Sequence, residues 1–122
     1  MIVHVVLFQP RGDLSPAASA ALAGAFETAL REIPSIRRAR VGTRLLHGRA
    51  YEALMHVDYQ YAALLEFDDA AGLKAYLEHP AHEQLASQFF SAFEHALMYD
   101  FDVNEGETGL AALLPLNGRP HC

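Results

Sequence analysis

Between Tyr76 and His82 the chain reads Tyr-Leu-Glu-His-Pro-Ala-His, which sets a phenol and two imidazoles around a proline. Imidazole titrates close to neutrality, so a neutral histidine is suited to removing a proton next to a carbonyl. A phenolic O–H is suited to stabilising the oxyanion that this step creates. His82 as base and Tyr76 as donor would serve an aldol- or enol-type reaction. Pro80 cannot continue an upstream helix but fits the first position of a new one. Tyr76 is therefore expected in the last turn of one helix and His82 in the first turn of the next. There the positive end of the helix dipole disfavours the imidazolium and keeps His82 a free base. The plainer reading of the same residues is a helix break with a partly exposed His-Pro turn.

Other candidates sit far away in the sequence. His4 shares one side of an N-terminal strand with Val6 and Phe8. It is expected on the barrel-facing side of that strand. There it is either a second polar group in an apolar cavity or a core histidine hydrogen-bonded to Asp100 or a main-chain carbonyl. Asp100, accepting from the other nitrogen of the His82 imidazole, would fix its tautomer, the logic of an oriented base without a nucleophile. His79 precedes the proline, is forced extended, and is expected to face outward or to cap. His47, His56, His95 and His121 read as surface or turn residues. No nucleophile suggests itself, because the serines stand in ordinary settings and the single cysteine is Cys122. His79 and His82 with His4 can be imagined as metal ligands. Yet no Cys-x-x-Cys or His-Glu-x-x-His pattern occurs and no carboxylate stands at suitable helical spacing, so no metal is expected. No residue is diagnostic of haem.

The elements that must position these groups are legible from patterning. Residues Ile2 to Gln9 are apolar on both faces, the pattern of a strand covered on both sides. Pro10 to Asp13 breaks it, and Ser15-Pro16 is a helix start with a capping hydroxyl and a proline at the first position. Leu22, Phe26, Ala29, Leu30 and Ile33 then form one apolar stripe, ended by Pro34. A second strand is expected from Ile36 to Leu46, with Gly42 marking a bulge. His47 to Arg49 turns, and 50–55 extends either loop or strand. Alternation from Val57 to Phe67 predicts a third strand. Asp68 or Asp69 caps a short helix carrying Leu73, Tyr76 and Leu77. After the break, Leu85, Ala86, Phe89 and Phe90 mark another helix, and Phe93 to Val103 a final strand.

The order β-α-β-β-α-β, with the second helical arm split, predicts an α+β ferredoxin-like fold: a four-stranded antiparallel sheet with helices on one face. Its other face is too apolar for water, which predicts a homodimer packed sheet to sheet as a dimeric α/β barrel. Residues 1–103 make that domain and 104–122 an extension. Asn104 to Gly109 reads as a flexible linker. Leu110 to Leu116 is apolar enough to pack on a partner subunit or to lid a cavity mouth, unless it is a loosely ordered tail.

Composition narrows the partners. With 122 residues, 52% of them apolar and 20% charged, the chain can bury one modest core. A net charge of −6 without a basic stripe argues against nucleic acid, since Arg37, Arg38 and Arg40 read as a solvated strand edge. No apolar run approaches the roughly 20 residues that span a bilayer, so no membrane is expected. The first residues lack a basic region and cleavage site, and a lone cysteine fits a reducing compartment, so the expected location is cytoplasmic.

Three pieces, His4 to Phe8, Tyr76 through His82, and Tyr99-Asp100-Phe101, make the chain resemble the stress-responsive dimeric α/β-barrel family, Dabb, over about residues 2 to 103. Its members include plant stress proteins, small bacterial proteins and a plant polyketide cyclase. In that cyclase the corresponding positions close a ring by an aldol-type step without metal or organic cofactor. The resemblance implies His82 as catalytic base, Tyr76 and His4 in the same site, and Asp100 orienting a histidine. It implies a small apolar carbonyl compound as ligand and a cofactor-independent lyase, cyclase or isomerase. The alternatives are a non-catalytic, stress-responsive dimer that binds small apolar ligands, or a barrel-type monooxygenase. The loop from His47 to His56 is longer than the family's hairpin and the tail beyond Val103 is extra, so substrate identity does not carry over.

Overall fold

The computed structural model describes residues 1–113. His121, Cys122 and the Leu114 to Leu116 part of the apolar tail lie outside the described residues. Strand β1 (Ile2–Pro10) leads to helix α1 (Pro16–Glu32), then β2 (Arg38–Thr43), β3 (Tyr61–Phe67), α2 (Ala70–Glu78), α3 (Pro80–Ala92) and β4 (Phe93–Asp102). A short α4 (Gly106–Leu110) follows. The four strands form one antiparallel sheet in the order β2-β3-β1-β4, with β1 in the middle of the pairing. This is the ferredoxin-like α+β fold.

Local chemistry explains the helix boundaries. Ser15 Oγ accepts from the Ala18 N–H at 3.1 Å, and Pro16 takes the first helical position. Asp69 Oδ1 accepts from the Gly72 N–H at 2.9 Å, settling which of the two aspartates caps α2. The core forms where the stripes of α1 and α3 meet one face of the sheet: Val6, Ala63, Leu65 and Phe67 pack with Ala29, Ile33, Tyr76, Ala81 and Leu85. Leu65 and Phe67 are sealed from water, and each such burial stabilises the fold by roughly 1.5–3 kcal/mol.

Strand alternation puts His4, Val6 and Phe8 on this helix-covered face. That corrects the expectation that His4 faces the barrel side. Both faces of β1 are apolar, so its parity shows which residues are neighbours but not which set the helices cover. Val3, Val5, Leu7, Leu64, Leu97, Tyr99 and Phe101 share the open face, where Tyr99 and Phe101 remain 56% and 51% exposed. Glu66 is buried at the β2 side of that face beneath Arg40 at 3.2 Å and Arg38 at 3.9 Å. The arginine cluster is thus an edge that covers a carboxylate.

The second strand is shorter than expected, because β2 ends at Thr43 and β3 begins only at Tyr61. Between them Ala50–Leu54 forms a 3-10 turn, with Glu52 accepting from the N–H groups of His47 and Gly48. Gly42 makes no bulge. The β2–β3 register runs unbroken, and the irregularity falls at Gln9/Pro10, where proline cannot donate to the ladder. In the extension, 106–110 is helical where a flexible linker was expected, and Leu110 and Leu113 are exposed.

Candidate active site

The junction of α2 and α3 carries two of the candidate groups. His79 ends α2, its N–H donating to the Tyr76 carbonyl at 3.2 Å, and also begins α3. Its Nδ1 accepts from the Ala81 N–H at 3.0 Å, so His79 caps. Pro80 occupies the first helical position, and the His82 N–H donates to the His79 carbonyl at 2.9 Å. The sharp junction swings His82 back onto Tyr76. Their ring centroids are 4.7 Å apart, nearly edge to face at 64°. Tyr76 lies 5.8 Å from the ring of His4, reaching up from β1. The three side chains, separated by up to 78 residues in the sequence (82 − 4), form one contiguous row.

Asp100 is the cross-strand partner of His4, and the two side chains meet at 2.5 Å between Nδ1 and Oδ1. A carboxylate only accepts, so the Nδ1–H of His4 donates and its Nε2 is left for the cavity. Asp100 therefore orients His4 rather than His82. No sequence signal chooses between the two imidazoles. The cross-strand register does.

His4, Tyr76 and His82 line a cavity of about 160 Å³ between the sheet and helices α1 and α3. Its walls are Val6, Phe8, Leu65, Leu22, Phe26, Leu85, Ala86, Phe89 and Phe93, with Leu77, Phe90 and Met98 among the more exposed lining. The chamber lies within one subunit, under the helices, and not between two facing sheets as expected. Periodicity marks Phe26, Phe89 and Phe90 only as core stripe. Their convergence with Phe8 and Phe93 is a tertiary result. A second, more open hollow of about 510 Å³ lies around Leu7, Met55 and Tyr59, and its imidazole, His56, is exposed.

The environment sets the protonation states. Burial, and then the neighbouring His4, hold the His82 imidazole below its ordinary value, while a main-chain bond at Leu77 and the Glu83 carboxylate pull the other way. The direction is the one expected from the helix start, but desolvation is its leading cause. Burial pushes the Tyr76 phenol up to about 12, so it stays protonated at neutral pH. The cavity thus holds a free-base imidazole beside a neutral phenolic donor. Among the described residues, no three His, Cys, Asp or Glu side chains converge as metal ligands would. His47, His56 and His95 are exposed and take no part.

The family model of the stress responsive A/B barrel domain matches residues 2–103. Among solved structures, an Arabidopsis thaliana protein superposes with a TM-score of 0.71 at 18% identity, over 88% of this chain and 99% of that one. The hydroxynitrile lyase of Passiflora edulis also gives 0.71, at 19% identity, covering 86% and 94%. A dimeric ferredoxin-like protein of unknown function from Jannaschia gives 0.68 at 23% identity, covering 84% and 98%. No curated protein matches the chain.

Proposed function

The chain belongs to the stress responsive A/B barrel domain family, and on that premise we propose that its cavity performs cofactor-independent acid–base chemistry on a small, apolar carbonyl compound, as a lyase, cyclase or isomerase. The observation that carries this reading is the row His4, Tyr76, His82 along one wall of an otherwise apolar chamber. His82, kept neutral, removes the proton next to the carbonyl or from a hydroxyl that becomes one. Tyr76 donates its phenolic hydrogen to the oxygen on which negative charge develops. His4, held by Asp100, presents Nε2 as a second fixed acceptor that positions the substrate. The shared fold of the Passiflora edulis hydroxynitrile lyase supports the lyase form of this reading.

We further propose that two copies pair through the open sheet face, where Tyr99 and Phe101 are exposed. The Jannaschia protein of the same fold is dimeric. Because the cavity lies within one subunit, pairing would cover the apolar sheet without being needed to build the site.

A non-catalytic ligand-binding role is the second reading, favoured by how few polar groups line the chamber. The two separate cleanly. Wild type and His82→Ala are offered a panel of aldol, enolisation and cyanohydrin-cleavage substrates, and loss of substrate and appearance of product are followed by chromatography, or by α-proton exchange for enolisation. Turnover by wild type that falls roughly 100-fold or more in the variant is expected for a general base. Equal rates in both proteins remove the catalytic reading.

A further inference from the structure

We propose that the cavity selects uncharged compounds built on a single aromatic ring bearing one oxygen function, and rejects carboxylates and fused-ring analogues; this rests on the reading of the cavity as the substrate site. Three features of the chamber carry it. Its volume is about 160 Å³. An apolar protein cavity of roughly 150 Å³ accepts benzene, so the chamber is sized for a single ring. One end is aromatic: Phe8 meets Phe89 edge-on at 5.5 Å and 74°, and Phe89 meets Phe93 at 4.5 Å. Such walls offer edge and offset contacts that a flat ring fills better than an alkyl chain does. The polar groups lie together, so a ligand must be apolar at one end and polar at the other.

Charge decides the head group. Among the described residues, no lysine or arginine lines the chamber. A carboxylate brought inside would lose its water and gain no cation, an unfavourable exchange. A carboxylate, of the wrong sign for an anion, stands behind the row, since Asp100 is hydrogen-bonded to the ring of His4. A neutral carbonyl or hydroxyl meets a donor at Tyr76 and acceptors at the imidazoles. The rim matches this preference: Leu77, Phe90 and Met98 are 40%, 66% and 42% exposed and offer an approaching anion nothing.

Binding is measured by NMR titration at pH 8 with acetophenone, benzoate and 2-acetonaphthone, none of which requires turnover. Acetophenone is expected to bind and to shift Met98 and Tyr76 resonances, with benzoate and 2-acetonaphthone weaker by roughly tenfold or more. The variant Ala86→Phe places a ring in the chamber and is expected to abolish acetophenone binding; Ala86→Leu does the same more gently if the first does not fold. Benzoate or the naphthyl ketone binding within about threefold of acetophenone overturns the inference. So does unchanged binding in a folded Ala86 variant, or no acetophenone binding by wild type. The selectivity seen in a protein inactive on every substrate upholds the inference while removing the catalytic reading. Turnover confined to charged substrates does the reverse.

Discussion

His4 and Asp100 face one another across β1 and β4, with Nδ1 and Oδ1 2.5 Å apart, yet His4 is 6% exposed while the Asp100 side chain is 44% open on the edge strand. A buried imidazole is thus tied to a half-solvated carboxylate. The carboxylate keeps its contact with water while it holds the imidazole in one orientation. His82, by contrast, has no carboxylate hydrogen-bonded to its ring among the described residues.

The first prediction concerns the tautomer. In wild type, ¹⁵N shifts of His4 should report the Nδ1–H form, since only that form donates to Asp100. Asp100→Ala should release the ring to a mixture of tautomers without unfolding the sheet. Loss of this orienting partner should lower activity roughly 10- to 100-fold, the range seen when carboxylates that orient metal-bound histidines are removed, and acetophenone binding should change far less. A wild-type His4 already present as a mixture contradicts the geometry.

His82 should titrate below the ordinary imidazole value of 6.5, because burial and His4 both penalise its charge. The sign for stability follows. Above about pH 6.5 the ring is neutral folded or unfolded, and it contributes nothing. As the pH falls below 6.5 the unfolded chain takes up the proton first, so stability declines until the folded ring is also protonated. His4→Gln should move the His82 midpoint upward by removing one of the lowering influences. An NMR midpoint at or above 6.5 in wild type overturns this assignment.

Tyr76→Phe separates packing from chemistry. The ring is 3% exposed and packs on Phe67 at 5.4 Å, contacts that phenylalanine keeps. Stability should stay within roughly 1 kcal/mol, while turnover should drop on the order of 10²–10³-fold through loss of the oxyanion donor. Because burial lifts the phenol to about 12, the wild-type rate should stay level from pH 7 to about pH 10, with no basic limb from this group. A basic limb that disappears in Tyr76→Phe refutes the assigned protonation state.

The sequence carried more of the scaffold than of the site, for identifiable reasons. The Ser15-Pro16 start, the Asp69 cap and the His79-Pro80 break are local events, fixed by side chains reaching two or three residues along the chain. The order of elements followed from their periodicities. The orientation of His4 did not, because alternating apolar residues on both faces of β1 leave the helix side undetermined until the whole sheet is built. The partner of Asp100 depended on the β1–β4 register, a contact across 96 residues. The third strand read too long, since alternation from Val57 to Gln60 persists in a stretch that has left the ladder.

The open face provides the fourth prediction. Tyr99 and Phe101 stand side by side on it, ring centroids 6.4 Å apart, and each is about half exposed. An apolar sheet face of this kind drives association. Wild type should scatter light as a dimer, and Tyr99→Asp combined with Phe101→Asp should give a monomer with an intact cavity. A wild-type monomer at working concentration removes the pairing proposal but leaves the intra-subunit site untouched.

The last prediction tests how the junction holds the site together. His79 satisfies one of the free N–H groups at the start of α3 through its Nδ1, which is 3.0 Å from the Ala81 nitrogen. His79→Ala removes that acceptor and should cost about 0.5–2 kcal/mol, read as a lower denaturation midpoint. His79→Asn supplies a carbonyl oxygen at a similar reach and should recover most of the loss. His82 lies one turn further on, its own N–H bonded to the His79 carbonyl, so fraying here should also loosen the contact between His82 and Tyr76. Acetophenone affinity should therefore fall in His79→Ala and return in His79→Asn, in step with stability. An alanine variant as stable as wild type would mean that water caps α3 equally well and that proline alone sets the angle at which His82 enters the cavity.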